Sequence, residues 1–290
     1  MVRFRKELMH KMTRIQYRKM DFRFDDDIPF QFNPRNIAVS DFVNSGTFMA
    51  PAFESYFIKA FREAMPLLRD ERLKHDTEIF IQQEREHSRH HIAHLKMLIR
   101  KIPELEQVRD EVNASYKGLY NSRPLEFHLA YTATIELCFG PVSRFIIENR
   151  DVLFAGGDPR ISSFGLWHSV EEFEHRNCAI DVFNKVVGSH LYRLRHIPET
   201  RRHLRETGAI VERAFRRLAA EGKIESSDKS VLDGTTWRSR WQLYAELLGT
   251  LLPWHKPDRL KQPEWATQWM SDYTAGKPMT LAYKAPQAQS

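Results

Sequence analysis

The sequence predicts an all-α protein: a four-helix bundle with an additional helix at its N-terminus and further helices after it. Two observations lead to this expectation. The middle of the chain holds four long segments with apolar residues at helical spacing, and no alternating pattern typical of β-strands interrupts them. A longer connection separates the second segment from the third, as in bundles made of two helical hairpins.

The first 23 residues are strongly basic. Eight Lys and Arg stand against Glu7 and Asp21, a balance of +6 that accounts for the net charge of the chain. Apolar residues recur at helical spacing and predict a basic amphipathic helix: Phe4, Leu8, Met12 and Ile15. Such a helix packs on its own domain, or it makes a peripheral membrane contact or docks on a partner. Without a recognition motif, the charge does not predict nucleic-acid binding.

Capping residues, prolines and glycines delimit the bundle helices. Their approximate predicted ranges are 44–68, 70–101, 122–154 and 158–190. Residues that can cap their N-termini are Asn44 or Ser45, Asp70, Ser122 and Asp158. Beyond Pro198, further helices are predicted at about 199–221, 231–252 and 263–275, followed by a mobile tail. We therefore divide the chain into a basic helix and connector (1–36), a helical bundle (37–195) and a C-terminal helical extension packed on it (196–290).

Composition excludes several classes of protein. No stretch approaches the roughly 18 uninterrupted apolar residues that a membrane-spanning helix needs. The N-terminus lacks the apolar core of a signal peptide, so we expect a cytoplasmic protein, with peripheral membrane association as an alternative. The two cysteines, Cys138 and Cys178, are too few for a disulfide framework and predict buried thiols.

The fourth predicted helix contains the run HSVEEFEHR at 168–176. Because each helical residue advances about 100°, His168, Glu172 and His175 fall within roughly 60° of one face. Glu171 and Glu174 fall toward the flank, where we expect surface groups or groups that orient the metal ligands. The three residues on the inward face can converge on one metal site.

The second helix carries QQEREHSRHH at 82–91. Glu84 and His87 form another Glu-x-x-His, whose spacing lets both side chains reach one metal ion without a change in the backbone. His91 stands one turn further along the same face, as a further ligand, a donor that orients Glu84, or a structural histidine. One such motif arises by chance in many charged helices, whereas two on separate long helices favour a metal site.

The first and third helices each place one glutamate in the middle of an apolar stripe. Glu54 has Phe57 and Phe61 as neighbours on its face, and Glu136 has Phe139. Burying a bare carboxylate costs several kcal/mol or forces it to take up a proton. Neither face offers an obvious Lys or Arg partner, so bound metal is the better explanation.

Together these residues predict a dinuclear metal site. Four carboxylates carry a charge of −4, which two divalent ions neutralise. Oxygen-rich ligands with imidazole suit Fe or Mn better than zinc, so we expect two Fe ions, with Mn or a mixed Fe/Mn pair as alternatives. The ligands predicted from these residues are Glu54, Glu84, His87, Glu136, Glu172 and His175, and the resemblance described next adds His168.

The set resembles the ferritin-like di-iron superfamily over about 46–190, in which two helices give one Glu each and two give a Glu-x-x-His. The run that starts at His168 is similar to that of the di-iron N-oxygenases, typified by p-aminobenzoate N-oxygenase, and this implies that His168 also binds iron. The chain also resembles a bacterial family labelled predicted metal-dependent hydrolase, through IPFQFNP (28–34), QQEREHSRHH, LWHSVEEFEHRNCAIDVF (166–183) and LLPWHKPD (251–258).

These resemblances imply an O2-activating di-iron oxygenase that oxidises a small organic molecule and takes electrons from an external reductase. A hydrolase would use the same ligands to activate a water molecule between two metals, and iron storage with ferroxidase activity is a third reading. No catalytic residue beyond the metal ligands can be named. The C-terminal helices are expected to cover a substrate pocket or to form a homodimer interface.

Overall fold

The computed structural model describes residues 15–283, and its regular secondary structure in that range is entirely helical. The all-α fold class is confirmed. The helices are α1 (Ile37–Ala64), α2 (Glu71–Lys101), α3 (Leu105–Asn121), α4 (Leu125–Glu148), α5 (Arg150–Leu153), α6 (Pro159–Glu174), α7 (Cys178–Val186), α8 (His190–Ala220), α9 (Trp237–Gly249) and α10 (Glu264–Thr274).

Two helical hairpins make up the bundle. In the first, α1 packs along α2, and a short 3-10 turn at Met65–Leu67 joins them. In the second, α4 packs against α6 and α7. The connection between the hairpins is α3, which packs on α1 and α8, while α8 and α9 cover α4. Among the residues described, no helix combines the length and apolar character needed to cross a membrane.

Several predicted helix boundaries agree with the structure. Asp70 caps α2 by accepting hydrogen bonds from the backbone N–H groups of Arg72 and Leu73. Asp158 caps α6 in the same way, with Pro159 at the first helical position. The starts of these two helices could be predicted because each capping residue is adjacent in sequence to the helix that it caps.

Other boundaries were predicted wrongly. The first helix begins at Ile37, not near Ser45, because the Asn36 side chain accepts a hydrogen bond from the Val39 N–H. The connection at 102–122 is largely the helix α3. The third helix ends at Glu148, and the fourth is interrupted at 175–177. In the C-terminal region, α8 runs through Pro198 from a start at His190.

The N-terminal segment differs most from the prediction. Residues 15–24 form no helix, and from residue 18 to residue 25 buried and exposed side chains alternate, as on an extended strand. The part of the predicted helix at 15–23 is therefore wrong, and residues 1–14 lie outside the described chain. The Met20 N–H donates to the Glu86 carboxylate at 3.0 Å, which fixes this extended segment against α2.

The bundle interior is rich in aromatic side chains. One apolar cluster includes Phe22, Phe57 and Trp167, and a second includes Phe61 and Phe80. Phe61 and Phe80 pack with ring centroids 4.9 Å apart, so they join α1 to α2 at one end of the bundle. The polar residues considered below lie inside this apolar frame.

Candidate metal centre

All four bundle helices deliver acidic or histidine side chains to one buried region. Glu54 comes from α1, Glu136 from α4, and the other predicted ligands come from α2, from α6 and from the residue that follows α6. Seven residues of this region are at most 5% exposed as whole residues: Glu54, Glu84, His87, His91, Glu136, Glu172 and His175. His168 is the most accessible, with 19% of its side chain exposed.

At one end of this region, three potential donors surround the end of α6. His175 Nδ1 lies 3.4 Å from Glu84 Oε1, and His175 Nε2 lies 3.1 Å from Glu172 Oε2. One donor atom from each of the three residues lies within 4.8 Å of the others, a spacing that can hold a metal ion. His175 is the C-cap of α6, where the helical backbone ends.

At the other end, the histidines of α2 and α6 meet. His91 Nε2 lies 3.2 Å from His168 Nδ1 and 3.8 Å from Glu54 Oε1, and these three residues form another group within 4.8 Å. His168 Nε2 in turn lies 2.8 Å from Glu172 Oε1. Glu172 therefore contacts histidines at both ends of the region.

His87 and Glu54 link the two ends. His87 forms one metal-compatible group with Glu54 and Glu84, and another with His168 and Glu172. The four overlapping groups thus share carboxylates, because Glu54, Glu84 and Glu172 each belong to two of them. Glu136 belongs to none of these groups, but it is 1% exposed and interacts electrostatically with Glu84 and Glu172.

Many of the donor atoms in this region have no hydrogen-bond partner, and their nearest polar contacts are with one another. Within residues 15–283, both carboxylate oxygens of Glu54, Glu84 and Glu136 are buried and make no hydrogen bond. The same holds for His87 Nδ1 and for both ring nitrogens of His175. Buried polar atoms are almost always paired in folded proteins, so this concentration of unpaired acceptors fits a group of cations.

The pKa values of the buried carboxyl groups also indicate that this region requires positive charge. Burial raises the pKa of Glu54 to about 8, and burial together with neighbouring carboxylates raises the pKa of Glu84 and of Glu136 well above the ordinary value. Burial also disfavours the ionised form of Glu172, but His175, His168 and His87 outweigh it and lower its pKa. Protons on these carboxyl groups therefore replace charge that a metal would otherwise provide.

The ring of His87 is held by a chain of charged contacts that sequence reasoning did not specify. His87 Nε2 lies 3.0 Å from Glu171 Oε2, so the opposite nitrogen, Nδ1, turns toward Glu84 and Glu172. Glu171 is fully buried and accepts a hydrogen bond from Arg18 at 3.2 Å. A carboxylate behind a histidine is the usual device that orients a metal-binding imidazole.

Arg18 reaches this position from the extended N-terminal segment. It is 2% exposed and also forms two hydrogen bonds, of 2.7 and 2.8 Å, with Glu174. Glu171 and Glu174 thus lie behind the site, as one of the sequence-based alternatives expected. The alternation RKMDFRFD at 18–25 was the signal for an extended segment, but its contact with α6 spans more than 150 residues and could not be read from local pattern.

The structure defines the contacts of three further histidines. His91 Nδ1 lies 3.1 Å from the Thr47 hydroxyl, which leaves Nε2 directed toward Glu54 and His168. His94 Nδ1 contacts the same hydroxyl at 2.9 Å. His128 is buried in the core beside Tyr56. Both cysteines are free thiols, Cys178 buried and Cys138 partly exposed.

The arrangement defines a class of protein: an all-helical protein with a buried cluster of carboxylates and imidazoles suited to metal ions. Comparison with protein families gives a match over residues 16–259 to the family described as predicted metal-dependent hydrolase. The chain belongs to this family. Neither the curated proteins nor the solved structures contain a significant match.

Proposed function

We propose that this protein is a dinuclear metalloenzyme. The proposed ligands are Glu54, Glu84, His87, Glu136, His168, Glu172 and His175, with His91 as an additional ligand. The observation that carries the proposal is the set of buried carboxylate and imidazole atoms without hydrogen-bond partners, contributed by four helices. The metal-binding unit would be the bundle at 37–195, with the helices of 196–290 packed on it.

We further propose that the metals are iron and that the centre activates O2 to oxidise a small organic molecule, with an external reductase as the electron source. The donor set supports this choice, since carboxylates and imidazoles without thiolates suit Fe or Mn better than a tetrahedral zinc site. When bound, a pair of iron ions supplies the electrons and the Lewis acidity for reaction with O2.

The chain would contribute orientation, charge and exclusion of water. Glu171 keeps His87 Nδ1 directed at the site, and Thr47 does the same for His91 Nε2. Trp167 packs edge-on against His87 with centroids 4.9 Å apart, and Phe80 packs on His175 at 4.7 Å. These rings shield the reacting atoms from solvent, which strengthens the electrostatic interactions inside the site.

Metal-dependent hydrolysis is the second candidate, and the family description supports it directly. Here two metals would lower the pKa of a water molecule between them and bind the substrate oxygen. A cavity of about 280 Å³ lies at one end of the bundle and is lined by Asn177, Asp76, Lys185 and His175, whose side chain is itself buried. This cavity could admit a polar substrate for either chemistry.

Metal analysis followed by loading tests the proposal. We expect about two metal ions per chain by mass spectrometry, and a transient absorption band when the protein loaded anaerobically with Fe(II) meets O2. Glu84→Gln should lower metal content, whereas Glu78→Gln, at an exposed position of the same helix, should not. Stoichiometric zinc or manganese, no response to O2 and anaerobic ester hydrolysis would favour the hydrolase. No stoichiometric metal after loading would refute the site.

A further inference from the structure

The C-terminal region carries a concentrated patch of exposed apolar side chains. Of the fourteen large hydrophobic residues exposed in the described chain, seven lie between residues 237 and 254. They are Trp237, Trp241, Tyr244, Leu248, Leu251, Leu252 and Trp254. Scattered exposed hydrophobic residues are normal, but a contiguous group of this kind marks an interaction surface. We refer to these seven residues as the aromatic stripe.

The helical geometry of α9 aligns the first four members of the stripe. At 100° per residue, Trp237, Trp241, Tyr244 and Leu248 fall within about 60° of arc. The opposite face is already in use, because Leu243 is buried and Glu246 pairs with Arg144 of α4. The helix therefore packs on the bundle with one face and presents rings that are 72% and 66% exposed, at Trp237 and Trp241, on the other.

The charges around the stripe are mainly positive. Between residues 237 and 257 the one acidic residue is Glu246, and it is turned toward α4 by its contact with Arg144. Exposed cations border the stripe at Arg238 and Lys256 and continue beyond it at Arg259 and Lys261, whereas the exposed acids of the same flanking segments are Asp233 and Asp258. An occupant of this surface should therefore accept apolar rings and complement a modest excess of positive charge.

We propose that the aromatic stripe is a docking surface for an anionic membrane. Tryptophan and tyrosine partition to the boundary between headgroups and acyl chains, and nearby Lys and Arg are attracted to anionic lipids. A second copy of this chain fits less well, since a two-fold interface would bring two basic patches together. Residues 1–14 fit less well for the same reason, because five Lys and Arg there oppose only Glu7.

Co-sedimentation of the full-length protein with lipid vesicles tests the proposal. We expect binding to vesicles of phosphatidylcholine mixed with phosphatidylglycerol, and weaker binding to phosphatidylcholine alone. The double variant Trp237→Ser/Trp241→Ser should bind the mixed vesicles about tenfold more weakly or worse, since two large apolar side chains are lost. Leu67→Ser is the matched control, because Leu67 is 55% exposed and far from the stripe in sequence, and its binding should not change.

Two further measurements keep the outcome clear. Circular dichroism should show unchanged helicity in the double variant, since both rings are mainly exposed. Brominated lipids should quench the tryptophan fluorescence of the native protein on binding, and most of that quenching should disappear in the double variant. Native-like vesicle binding by the double variant would overturn the proposal. So would a native dimer that becomes monomeric in the variant while neither form binds vesicles, because the stripe would then be a contact between copies.

Discussion

The substitution Glu54→Gln tests whether a buried carboxylate destabilises the metal-free protein. Burial raises the pKa of Glu54 in the folded state to about 8, against an ordinary value of 4.5. Below pH 4.5 the group is protonated in both the folded and the unfolded state. As the pH rises toward 8, the unfolded state ionises first, so the native protein loses stability that a glutamine would not lose.

The size of this effect follows from the same two values. Between pH 4.5 and pH 7, an interval of 2.5 pH units, Glu54 is mainly ionised in the unfolded state and mainly protonated in the folded state. At about 1.4 kcal/mol per pH unit, the free energy of unfolding of the native protein should fall by ~3 kcal/mol relative to the variant. Urea denaturation of both proteins, stripped of metal by a chelator, measures the free energy of unfolding across this range. Glu63→Gln, at an exposed position of the same helix, is the control and should show no such trend.

A difference between Glu54→Gln and the native protein that does not change with pH would refute this reasoning. The sign should reverse when metal is present, because the variant loses a ligand and gains less stability from binding. If both proteins were stabilised equally by Fe(II), Glu54 would not be a ligand even if its carboxylate is destabilising in the metal-free state.

Three other outcomes are expected. Arg18→Met should lower the free energy of unfolding by roughly 3–5 kcal/mol in chemical denaturation, because it leaves Glu171 and Glu174 without their buried cation; an unchanged midpoint would contradict this. Glu171→Gln should weaken metal affinity by about 10–100-fold in competition with a chelator while the metal content at saturation stays the same, since it orients His87 rather than binding metal. Metal added to the metal-free protein at pH 7 should release protons in an unbuffered titration, because Glu84 has a raised pKa; no release would contradict the assignment.

Much of the site could be predicted from sequence because its geometry is local. Glu84 and His87, three residues apart on a helix, must share a face, and the structure places them so. His175 was expected on the same helical face as Glu172, yet the helix ends at Glu174 and His175 reaches the site from its C-cap. Both backbone conformations bring the ring of His175 into the buried cluster, but the predicted helical backbone at this position is wrong.

The structural features that the sequence did not predict depend on distant partners or have weak local signals. Glu171 can be buried because Arg18 donates a hydrogen bond to it, and no local sequence pattern near either residue predicts this pair. The helix α3 has apolar residues at Leu105, Val108 and Val112, but Pro103 and the following polar residues made the segment look irregular. The extended segment that precedes α1 was not predicted, because its positive charge and apolar spacing suggested an amphipathic helix.

The contact between Arg18 and Glu171 joins residues 153 positions apart. Closing so long a loop is entropically costly and belongs to the slow part of folding. The helices can pair before the extended segment arrives, but Phe22 completes the aromatic core, and Arg18 fixes the carboxylate behind His87, only afterwards. The extended segment would thus be among the last parts of the fold to take its place, and the orientation of His87 would be complete only when Arg18 has reached α6.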